Sequence, residues 1–70
     1  MAFRAGKCLL RQRLREAKMT QQDLAHRMNK SRSQISQYVN GTRTMSLETA
    51  RTIAHIVGCT MEQLYDWTWE

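Results

Sequence analysis

The residues most capable of specific chemistry lie together. Arg32-Ser33-Gln34-Ile35-Ser36-Gln37 places five polar side chains in six residues, with no carboxylate among them. Arginine offers a paired donor fork that fits guanine, and glutamine offers a donor and an acceptor that fit adenine. Such a run suits the reading of hydrogen-bond patterns. It does not suit bond breaking: no serine sits in a nucleophile-elbow pattern, and no glycine-rich loop precedes a helix. His26 and His55 stand far apart, with no Asp, Glu or Cys at ligand spacing, so no metal is expected. Cys8 and Cys59 form neither a metal motif nor a disulfide framework, and read as small apolar packing groups. The expectation is a protein without enzymatic activity, cofactor or small-molecule substrate.

Charge points to the partner. Residues 1–43 hold ten of the eleven Lys and Arg against Glu16 and Asp23, a balance of +8. Residues 44–70 hold Arg51 against Glu48, Glu62, Asp66 and Glu70, a balance of −3. This asymmetry is the footprint of a polyanion-binding protein, with nucleic acid the first candidate. A membrane surface fits less well, because no aromatic apolar face backs the basic stretch. Seventy residues make one small domain (1–70), too short for a deep substrate cleft. No apolar run approaches the roughly 20 residues that span a bilayer, and the start lacks a signal-peptide core. A cytoplasmic protein is expected.

The elements that must hold these residues read as helices. Proline is absent, and no strand-like alternation persists. Leu10, Leu14 and Ala17 make an i, i+4, i+7 stripe, which predicts a first helix from about Gly6 to Lys18. Four further starts carry capping chemistry: Thr20 with Asp23, Ser31 with Gln34, Ser46 before Glu48, and Thr60 with Gln63. They predict helices near 21–28, 32–39, 47–57 and 61–66. Asn29, Asn40-Gly41 and Gly58 stand where helices should end. The expected architecture is therefore all-α, with five helices and no strand. Only Asn29 to Ser31 separate the second and third helices, so these must cross steeply. Leu24, Ala25 and Met28 then face Ile35, Tyr38 and Val39, which leaves Arg32, Ser33, Ser36 and Gln37 on the outer side.

On these residues the chain resembles the phage repressor and Cro-type (XRE-like) helix-turn-helix regulators. The resemblance rests on Met19-Thr20-Gln21-Gln22-Asp23-Leu24-Ala25 followed by Ser31-Arg32-Ser33-Gln34-Ile35-Ser36. It continues through Ser46-Leu47-Glu48-Thr49 and Ile53-Ala54 to Val57-Gly58-Cys59-Thr60, about residues 8 to 66. It implies a lambda-repressor-like fold with the helix-turn-helix at about 20–39. It also implies that Arg32, Ser33 and Gln37 reach base edges, with Gln34 beside them. Gln21 would bond a phosphate from the start of the second helix, where the helix dipole favours an anion. Lys30, Ser36 and the loop of Asn40, Thr42 and Arg43 would complete the phosphate contacts. The chain departs from the family pattern in places. Asn29 stands where the family usually has glycine, and Lys18 where it often has another. Leu14 and Val39 replace an Arg–Glu pair, an exchange of ion pair for apolar contact that folds tolerate.

The reading is a double-stranded DNA-binding regulator of transcription, a repressor of phage or mobile-element type, bound as a homodimer to a palindromic operator. With no ligand domain, control would come from concentration, operator position or a regulatory protein partner. Tyr65, Trp67 and Trp69 are the candidate dimer contact, since the basic surface would repel its own copy. The alternatives are an antitoxin or accessory protein of a mobile element, and an antirepressor-like interaction module that no longer binds DNA. Acids on the outer face of the third helix would favour the last, and there are none. RNA binding ranks third, because the aromatics lie away from the basic surface.

Overall fold

The computed structural model describes residues 1–70. Its elements are strand β1 (Phe3–Cys8), helices α1 (Leu10–Glu16), α2 (Gln21–Met28), α3 (Arg32–Asn40) and α4 (Leu47–Val57), a 3₁₀ turn (Met61–Leu64) and strand β2 (Tyr65–Trp69). The capping chemistry places the central helices. Thr20 and Asp23 exchange backbone–side-chain hydrogen bonds of 3.0 and 2.9 Å, and Ser31 and Gln34 do the same at 3.2 and 3.0 Å. Ser46 Oγ accepts from the Thr49 amide at 3.1 Å. Asn29, Gly41 and Gly58 all adopt left-handed conformations at helix ends. Lys18 also has a positive φ, 57°, a conformation that favours glycine.

The all-α, five-helix expectation is corrected at both termini. Residues 3–8 form a strand, so α1 starts at Leu10 rather than near Gly6, and it ends at Glu16 rather than Lys18. The expected fifth helix stops at Leu64 as a single 3₁₀ turn, and the aromatic tail leaves as β2. The strands pair antiparallel, with Phe3 opposite Trp69, Arg4 opposite Thr68, Ala5 opposite Trp67 and Cys8 opposite Tyr65. Three steps along β1 thus match two along β2, a bulge around Gly6 and Lys7. Backbone hydrogen bonds between Ala2 and Glu70 extend the ladder to the chain ends. Termini satisfied in this way cannot be read from local periodicity.

One core of thirteen buried residues joins the helices. Leu10, Leu24, Ala25, Ile35, Ile53 and Leu64 are wholly sealed from solvent. Leu14 and Val39 are both in that core, as expected of an apolar pair replacing an ion pair. No helix is long and apolar enough to cross a membrane.

Candidate nucleic-acid interface

The helix-turn-helix is built by α2 and α3, which pack through Leu24 and Ala25 against Ile35, Tyr38 and Val39. Burying that face turns the opposite side of α3 to solvent. Arg32, Ser33 and Gln37 are all exposed there, and none spends its side chain on an intramolecular hydrogen bond or ion pair. Gln34 differs. Its Oε1 accepts from the Ser31 amide, and the residue is half-buried. Ser36 lies closer to the α2–α3 seam than expected: it is half-buried, and its hydroxyl donates to Gln21 Oε1 at 2.7 Å. This bond holds Gln21 at the first position of α2 and leaves its Nε2 hydrogens without an internal acceptor. A donor at a helix N-terminus suits an anion.

The far end of α3 is closed by its own loop. Thr42 donates both its amide and its hydroxyl to the Gln37 carbonyl, at 3.1 and 3.2 Å, and the Arg43 amide donates to the same oxygen. Thr42 therefore shapes the loop, while the guanidinium of Arg43 remains exposed and unpaired. Asn40 is exposed and accepts from Arg11 at 3.4 Å. Lys30 is exposed in the α2–α3 turn. The candidate base and phosphate residues thus come together around α3, with no carboxylate on the helix itself.

The aromatic residues collect elsewhere. In the ribbon, cross-strand partners share a face, so Phe3, Ala5, Trp67 and Trp69 lie on one side, with Arg4 and Thr68 on the other. Phe3 and Trp69 make an edge-to-face contact at 4.9 Å, and Tyr65 and Trp67 another at 6.2 Å. Trp67 and Trp69 remain 45% and 58% exposed, whereas Tyr65 is half-buried. Tyr65 also has a structural task, since its hydroxyl accepts from the Met45 amide at 3.1 Å. Trp67 Nε1 donates to the Glu62 carbonyl at 2.7 Å.

One structural anchor escapes the sequence reading. Arg13 donates from Nε to the Gln63 carbonyl at 2.7 Å and pairs with Glu16 at 3.0 Å, which ties α1 to the 3₁₀ turn. Arg13 and Gln12 together hold the Glu16 carboxyl below its ordinary value. The Thr20 amide, donating to Asp23, lowers the Asp23 carboxyl likewise. Burial raises the thiols of Cys8 and Cys59, which are free and sit as packing groups.

Comparison with known proteins agrees with this geometry. The Helix-turn-helix family model matches residues 10–64. The uncharacterised HTH-type transcriptional regulator YotL, derived from the SPbeta prophage of Bacillus subtilis, is 32% identical over 62 residues. The match spans 87% of this chain and 78% of that protein. A crystal structure of a candidate DNA-binding protein from Bacteroides fragilis superposes with a TM-score of 0.81 at 25% identity. It covers 86% of this chain and 97% of the other. By its motif, its fold and these matches, the chain belongs to the XRE/Cro-type helix-turn-helix family, a family of DNA-binding regulators rather than enzymes.

Proposed function

We propose that this protein is a sequence-specific regulator of transcription, a repressor of phage or mobile-element type, that reads double-stranded DNA with α3. The observation that carries the reading is the outer face of α3: Arg32, Ser33 and Gln37 are exposed, acid-free and unengaged. In helix-turn-helix recognition the N-terminal residues of the second helix meet base edges in the major groove. Arg32, Ser33 and Gln37 take that role, with Gln34 contributing beside its cap. Gln21, positioned by Ser36, holds one phosphate at the start of α2, Lys30 another at the turn, and Asn40 and Arg43 a third beyond α3, in the loop that Thr42 shapes. The prophage origin of YotL supports the mobile-element setting.

Two copies are needed, because one helix reads only a few base pairs. A two-fold pair presents two recognition helices about 34–36 Å apart, one turn of DNA. The basic surface cannot pair with itself. The aromatic face can: Tyr65, Trp67 and Trp69 with Phe3 continue into an apolar groove of about 390 Å³ lined by Met45, Leu47, Ala50 and Met61. Phe3 and Leu47 are 67% and 76% exposed, an apolar area suited to a second copy. Selection of bound sequences from random duplex DNA tests the whole reading. A palindromic consensus supports it; failure to enrich any sequence refutes it.

A further inference from the structure

The cations of β1 and α1 have no place in the interface described so far, and they are not scattered. Lys7, Arg11, Gln12 and Arg15 line one groove of about 410 Å³, floored by Val39 at the end of α3. Lys7, Asn40, Gly41 and Arg43 line a second of about 380 Å³. The two share Lys7, Cys8 and Val39, so they adjoin beside the C-terminal end of α3 and form one basic channel-like surface. Its four cations are exposed. No acid lines either half, and the two ion pairs of the protein, Arg4–Glu70 and Arg13–Glu16, involve none of them.

We propose that this channel is a second DNA-backbone clamp, in which Lys7, Arg11 and Arg15 carry the phosphate track onward from Arg43. The proposal rests on the DNA-binding reading of α3 and enlarges its footprint. Three features support it. Arg11 and Arg15 are one helical turn apart, where like charges repel, and no acid lines the groove they share. A concave wall lined by one sign of charge concentrates counter-ions, and a phosphodiester chain supplies them in a row. The bulge of β1 falls at Gly6 and Lys7, and such irregularities re-aim side chains; here Lys7 lines the channel instead of following the ribbon's alternation. Arg11 also reaches Asn40, so the channel is joined to the loop that follows α3.

The test compares the intact protein with a K7A/R11A/R15A variant and with an R51A control, which removes an exposed charge from α4. Affinity for the selected duplex is measured across a salt series, alongside phosphate-ethylation interference and circular dichroism. The intact protein should show interference at phosphates flanking those contacted around α3. The triple variant should keep the helical spectrum and the base consensus, lose those flanking positions, and flatten the log–log salt slope by about 0.9 per lost contact. R51A should leave both unchanged. An unaltered slope and interference pattern in the triple variant, or equal flattening in R51A, overturns the channel while leaving α3 recognition standing. A protein that binds no duplex at all refutes the DNA reading itself.

Discussion

Arg32 offers the sharpest separation of recognition from stability, because the two should move in opposite directions. It is the first residue of α3, exposed and without an intramolecular partner, so Arg32→Ala removes no contact within the fold. A cation at a helix N-terminus opposes the dipole, and no acid in the first turn of α3 offsets it. Alanine should therefore leave the unfolding free energy unchanged or raise it, by about 0.3–1 kcal/mol. Binding should suffer. A base-reading arginine is worth about 1–3 kcal/mol of discrimination. On a half-site this is a loss of roughly 5- to 150-fold, at 1.4 kcal/mol per decade. A two-fold operator loses the contact twice, about 2–6 kcal/mol in all, if the half-sites are independent. Titration of the selected duplex, a half-site duplex and a set of single-base variants measures all three quantities, and urea unfolding measures the fourth. Preference should relax at one position in each half-site and persist elsewhere. If the variant instead weakens all duplexes alike with the consensus intact, Arg32 holds a phosphate. If it binds and discriminates normally, α3 is not the reading element.

Further outcomes follow from the contacts that hold the scaffold. Tyr65→Phe leaves the half-buried Met45 amide without its acceptor and should cost about 1–3 kcal/mol in denaturant unfolding; an unchanged midpoint would mean that water replaces the hydroxyl. The Asp23 carboxyl is lowered in the folded state, so its contribution is present above the unfolded-state value and is lost as pH falls through the folded one. Asp23→Asn should flatten that acid-side loss in a thermal melt series, and an identical pH profile would contradict the capping assignment. Deleting Asp66 to Glu70 removes most of β2 but none of α1–α4. Helical circular dichroism should survive while two-fold binding to the operator disappears. Unfolding of that chain would place the tryptophans in the monomer's own stability, and normal dimeric binding would move the interface elsewhere.

The sequence by itself determined α2, α3 and α4 almost to the residue, because their starts and stops are local devices. A hydroxyl or amide caps its own helix within three residues, and Asn29, Gly41 and Gly58 end helices through their own backbone conformation. The outer face of α3 followed from the same local information, since three inward residues at helical spacing leave only one side for Arg32, Ser33 and Gln37. The tertiary structure decided what depends on partners distant in the chain. Residues 3–8 carry no strand pattern of their own; they are extended because residues 65–69 lie alongside and accept their hydrogen bonds. That pairing shortened the first helix, converted the expected fifth into one 3₁₀ turn, and set the aromatic residues on a common face. It also decided the fate of single donors: Arg13 went to the Gln63 carbonyl, Ser36 to Gln21, and Lys7 to the wall of a channel that no local spacing announces. Capping and amphipathic periodicity act over a few residues and are written in order along the chain, whereas strand pairing and shared pockets join residues that meet only after the core has closed.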